Sequence, residues 1–169
     1  YVSAPSPLIS SDDRYLLAVL NSSVGDFYIR SLGVTRNGGY FEYKPMFVEA
    51  LPVPKLETVK KKPYEMLVEY ILITVKKDLK LQSAYFEQIV DGLVYELYFQ
   101  EEIKTSGKEI LSHLGELVPI TDKMKEEEKS AIIQREFDRL YDPRHTVRNH
   151  LETLDSVEVV RRIREALKR

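Results

Sequence analysis

The sequence predicts an α+β fold that is predominantly α-helical: one helix plus short strands at the N-terminal end, followed by a helical assembly. Three observations carry this expectation. Apolar residues recur at helical spacing from residue 63 onward. A short alternating run, "YFEYK", follows a Gly-Gly pair. Three prolines then fall within ten residues, in "KPMFVEALPVP".

Residues 1–10 read as extended, since Pro5 and Pro7 block helix. Ser11 is placed to cap a helix, and Asp12 and Asp13 suit its positive end. Leu16, Leu17, Leu20, Val24, Phe27 and Tyr28 form one apolar stripe, and Gly33 is the expected stop. Asn21, Ser22, Ser23 and Gly25 are poor helix formers in its middle; they cap or kink it, or make room for a close backbone. Gly38 and Gly39 allow a tight turn. In the strand that follows, Phe41 and Tyr43 share one face and Tyr40, Glu42 and Lys44 the other. Pro45 opens a single helical turn, and "LPVP" runs extended out of it.

Beyond a composition boundary near residues 55–62 the pattern is helical. Pro63 suits a first helical position, and Leu67, Val68, Ile71, Leu72, Val75 and Leu79 form a stripe. After a break expected near Gln82 and Ser83, a second stripe holds Phe86, Ile89, Val90, Leu93, Val94, Leu97 and Tyr98. Ser106 with Glu109, Thr121 or Asp122, and Asp155 with Glu158 are expected to open three further helices; Pro143 ends the second of these, and Asp142 with Pro143 can start another. The domain reading is therefore 1–56 and 57–169.

The chain has 169 residues, a hydrophobic fraction of 43% and a formal net charge of -2. A core can form, and a polycation that grips phosphate by charge excess alone is excluded. No cysteine is present, so there is no disulfide and no thiolate chemistry. No apolar run approaches a membrane span of ~20 residues. The opening "YVSAPSPLISSDD" lacks Met and reads as a piece of a longer cytoplasmic protein.

Catalytic patterns are sparse. His145 and His150 are five apart, on different faces of a helix, which disfavours a shared metal. "RNGGY" has neither phosphate-loop spacing and leads into a strand. The run "KMKEEEKS" reads as a solvated helix face, and no serine sits in a G-x-S-x-G elbow.

Residues 15–55, "YLLAVLNSSVGDFYIRSLGVTRNGGYFEYKPMFVEALPVPK", resemble the end of the target-recognition domain in TaqI-like adenine-specific DNA methyltransferases, a group that includes fused type II restriction–modification enzymes. The words "LLAVLNS", "GGYFEYKP" and "LPVP" occur in the family's order. "IVDGLVYELYF", Ile89 to Phe99, is a weaker likeness to a following helix; Phe99 stands where the family tends to have Gly.

The resemblance implies a DNA-binding role in a restriction–modification system. Residues 1–56 would be the end of the recognition domain and 57–169 a helical C-terminal region. The parent protein would transfer a methyl group from S-adenosylmethionine to adenine N6, with or without a fused endonuclease. Its N-P-P-Y motif and glycine-rich cofactor loop do not occur here, so this piece is expected to be catalytically silent, with no cofactor of its own. The expected partners are double-stranded DNA and the upstream methyltransferase domain. Arg36 and Lys44 suit phosphates or guanine edges, Asn37 suits adenine, and Tyr40 can donate to phosphate or stack. Lys60, Lys61 and Lys62, after Lys55, form a basic continuation.

The alternative keeps the helices from Pro63 onward as a protein-interaction module that docks the catalytic part or a second subunit. The short strands are expected to complete a sheet that lies upstream; a sheet edge or apolar patch left open would be covered by a homodimer. No membrane partner is expected.

Overall fold

The computed structural model describes residues 11–33, 35–36, 40–41 and 44–168. The expected extended conformation of 1–10, the turn at 37–39 and the strand positions 42–43 lie outside the described residues.

The chain is an all-α protein, which corrects the α+β expectation. Among the described residues, the segment expected to form a strand pairs as β2 (Tyr40–Phe41) with β1 (Thr35–Arg36). Two residues a side cannot bury an apolar face, so this ladder makes no layer.

The single N-terminal helix expected is two, α1 (Arg14–Leu20) and α2 (Ser23–Leu32). Asp13, not Ser11, caps α1, its carboxylate accepting from Leu16 N–H at 3.0 Å. The break comes at Asn21 and Ser22, where the Ser22 hydroxyl accepts from Gly25 N–H at 3.1 Å and caps α2. α3 (Pro45–Glu49) is the single turn that Pro45 opens.

α4 (Thr58–Lys76) starts five residues before Pro63, which sits inside it. It ends at Lys76, with Lys77 as its C-cap, ahead of the break expected at Gln82 and Ser83. Asp78 takes a left-handed φ of 55°, Leu79 N–H donates to Thr74 C=O at 2.9 Å and Asp78 N–H to Val75 C=O at 3.1 Å. These bonds close a Schellman motif with Asp in the place that Gly usually holds. α5 (Lys80–Tyr98) folds back on α4 as a helical hairpin.

Then follow α6 (Gln100–Thr105), α7 (Leu111–Leu114), α8 (Glu126–Tyr141), α9 (Thr146–Glu152), a 3-10 turn at Leu154–Ser156, and α10 (Glu158–Leu167). Ser106 and Glu109 open no helix. Instead the Glu96 carboxylate, from α5, accepts from Ile110 and Leu111 N–H at 2.7 and 2.9 Å. α8 begins after the expected caps Thr121 and Asp122, with Glu128 accepting from Lys125 N–H.

α5 is the axis of the core: Phe86, Ile89, Leu93, Val94 and Tyr95 are fully buried. α4 and α1 cover one side, α8 and α9 another, and α10 packs on α2. Residues from both sides of the composition boundary share this one core. Tyrosine hydroxyls tie it to backbone carbonyls: Tyr15 to Pro54 at 2.7 Å, Tyr85 to Leu140 at 2.6 Å and Tyr98 to Pro52 at 2.8 Å.

Candidate functional site

α2 carries the chain to Gly33, its C-cap, whose N–H donates to Ile29 and Arg30 carbonyls. The two-residue ladder follows at once. Its register sets Thr35 against Phe41 and Arg36 against Tyr40, so two of the expected DNA contacts are directly paired through their backbones. Asn37, the third, lies outside the described residues. Lys44 is exposed and stands as the N-cap of α3, without a side-chain capping bond. The prolines behind the hairpin are held by the Tyr15 and Tyr98 hydroxyls, which fix the return of the chain to the core.

The three lysines at the start of α4 part company, as successive helical positions must. Lys60 and Lys62 are exposed. Lys61 pairs with Asp13 at 3.2 Å, and its ammonium lies 5.0 Å from the centre of the Tyr15 ring. That contact pins the start of α4 to α1. Its partner is 48 residues away, so nothing local in the sequence signals it. Asp13 is held below its ordinary value by the Leu16 N–H, with Lys61 assisting.

The sequence reading missed a polar cluster at the base of α2. The Ser23 N–H donates to Asp91 Oδ1 at 2.6 Å and the Ser23 hydroxyl to Asp91 Oδ2 at 2.9 Å. Arg164 of α10 stands 3.9 Å from the same carboxylate. Burial pushes the Asp91 carboxyl up, while the Ser23 bonds and Arg164 pull it down. An aspartate inside an apolar stripe is the one signal that could have drawn attention to it.

A second feature is an open groove of about 400 Å³ between α1, α4 and α5, lined by Leu17, Ala18, Val68, Ile71, Leu72 and Val90 among others. Leu17 and Leu72, expected on apolar stripes, are 41% and 47% exposed.

The histidines do not make a metal centre. His113 and His150 meet edge to face at 5.3 Å, and His150 Nδ1 is bonded to the Glu109 carbonyl at 2.7 Å. Burial, with Arg139 nearby, pushes His145 down. Among the described residues no group of three or more His, Cys, Asp or Glu could hold a metal ion, and no helix is long and apolar enough to cross a membrane.

Fold and site together define a class: an all-α unit that carries a short hairpin on a helix clamped at its base. Compared with known proteins, the chain matches no family model, no curated protein and no solved structure.

Proposed function

We propose that this chain is a non-catalytic C-terminal part of an adenine-specific DNA methyltransferase, contributing to target recognition through the hairpin after α2. The reading rests on the resemblance of residues 15–55 and on one geometric observation, the register that pairs Arg36 with Tyr40. A guanidinium-bearing and a phenol-bearing residue stand level on the two strands, with exposed Lys44 three residues beyond Phe41. Arg and Lys neutralise phosphates, and Arg reads guanine O6 and N7 at ~1–3 kcal/mol of discrimination. Lys60 and Lys62, exposed at the start of α4, are further candidate phosphate contacts in this reading. In this reading the protein works in the cytoplasm, its partners are double-stranded DNA and the methyltransferase domain upstream, and that domain binds S-adenosylmethionine.

The test is the variant Arg36→Ala with Lys44→Ala. Affinity for duplex DNA is expected to fall about ten-fold or more, with thermal stability unchanged. Unchanged affinity refutes the assignment.

One observation favours a second reading, in which the helices dock the catalytic part or another subunit. Leu17 and Leu72 line the same groove, and Val75, one turn on from Leu72, is 58% exposed. Leu17→Asp or Leu72→Asp would abolish assembly with the parent's catalytic part under this reading and leave DNA affinity intact.

A further inference from the structure

α2 is held at two places. At its base, Asp91 of α5 accepts from both the backbone and the hydroxyl of Ser23, the first helical residue. Along its length it lies against α10, where Arg30 donates to the Leu167 carbonyl at 3.4 Å. Arg164 joins the two attachments. It stands 3.9 Å from Asp91, donates to Asp155 at 2.7 Å and lies 5.6 Å from the centre of the Tyr95 ring. The Tyr95 hydroxyl beside this cluster is buried without a hydrogen-bond partner.

The Asp91 carboxylate is partly buried, 20% exposed, and taking a charge even that far from water has a cost, so packing alone does not account for it. What it contributes is direction. The Ser23 N–H is an N-terminal amide with no carbonyl one turn back to receive it, and a charged acceptor on a rigid core helix fixes where that amide points. α2 has ten residues and is about 15 Å long. A tilt of about 10° at Ser23 moves the Gly33 end by about 2–3 Å, against a tolerance of about 0.5 Å for a productive binding geometry. The hairpin begins two residues past Gly33.

We propose that Asp91, backed by Arg164, is a positioning residue: it sets the tilt of α2 and so the presentation to DNA of the ladder formed by Thr35–Arg36 and Tyr40–Phe41. The DNA part rests on the recognition role proposed above; the clamp on α2 does not. The C-terminal helices then serve the loop directly, through α10 and α5.

The experiment is amide hydrogen exchange with DNA affinity, on the wild type, Asp91→Ala and Asp91→Asn. The Asn side chain can accept from Ser23 N–H through Oδ1 and donate to the Ser23 hydroxyl through Nδ2, so it keeps the geometry without the charge. Asp91→Ala is expected to speed exchange at the Ser23 amide at least ten-fold and weaken DNA binding about ten-fold, with amides in the middle of α5 unchanged. Asp91→Asn is expected to restore both readouts to within about three-fold of wild type. Ser23 exchange within two-fold of wild type in Asp91→Ala overturns the clamp. Faster exchange with unaltered affinity overturns the positioning role. Wild-type protein that binds no DNA overturns the recognition reading and the DNA part of this proposal, and exchange alone then decides the clamp. If Asp91→Ala does not fold, Arg164→Ala is read the same way, with about three-fold effects expected in both readouts and none overturning the proposal.

Discussion

The Tyr15 hydroxyl donates to the Pro54 carbonyl at 2.7 Å, joining the first helix to the last proline of "LPVP" across 39 residues. Tyr98 does the same for Pro52 from α5. A proline-rich return segment cannot donate at its prolines, so its carbonyls are what the core can hold. Tyr15→Phe is expected to cost about 0.5–1.5 kcal/mol in urea unfolding, and Tyr98→Phe a similar amount or less, since its bond is exposed. The double variant is expected to loosen 45–56 in hydrogen exchange before the rest of the fold.

Two buried glycines respond differently to a methyl group. A Cβ on Gly25 would meet the Val19 carbonyl oxygen at 2.5 Å, which is backbone and cannot turn aside. On Gly92 it would meet the ends of the Ile110 and Leu151 side chains at 2.4 and 2.8 Å, which can. Gly25→Ala is expected to be the more destabilising, by about 1–3 kcal/mol as overpacking goes. Thermal melts of the pair decide it; equal losses would mean that the α1–α2 junction yields.

Leu93 and Leu72 separate core from surface. Leu93 is fully buried on α5, and Leu93→Ala is expected to cost ~2–5 kcal/mol. Leu72→Ala, on an exposed face, is expected to stay within about 0.5 kcal/mol. Denaturant midpoints give both values, and a loss below about 1 kcal/mol at Leu93 would contradict the described core.

That contrast shows what the sequence makes legible. The α5 stripe could be read because Phe86, Ile89, Val90, Leu93 and Val94 keep strict helical spacing in a helix covered on several sides. On α1 and α4 the same rule picked Leu67 and Val68, which are buried, but also Leu17, Leu72 and Val75, which are exposed, and it passed over Tyr15, Ala18, Tyr64, Tyr70 and Thr74 on the buried face. Tyrosine is chosen there because its hydroxyl finds a distant carbonyl, at Pro54 for Tyr15 and Val118 for Tyr70, and such partners leave no local trace. A strand was expected at Tyr40 and Phe41, but its pairing with Thr35 and Arg36 was not, and the two-residue ladder is too short to give the class a β component. The bonds of Asp91 and Lys61 stayed hidden for the same reason as those of the tyrosines: their partners, Ser23 and Asp13, are 68 and 48 residues away.

Burial also sets an alkaline limit. It pushes Tyr15, Tyr95 and Tyr98 up to about 12, and raises Tyr64, Tyr70 and Tyr85 as well, from an ordinary value of 10.0. The folded state then keeps protons that the unfolded chain releases, so their contribution is intact below about pH 10 and is lost as pH rises toward 12 and beyond. Unfolding midpoints are expected to fall steeply over that interval. Phenolate absorbance from these rings is expected to appear together with unfolding; its appearance near pH 10 in folded protein would contradict their burial.

The central claim is that this chain itself touches DNA. Fluorescence anisotropy with a mixed-sequence duplex, at low salt and again near physiological salt, tests it most directly. The account predicts saturable binding that weakens steeply with salt, as phosphate contacts require. No binding at low salt would contradict it and favour the second reading, in which the groove at Leu17 and Leu72 docks another part of the protein.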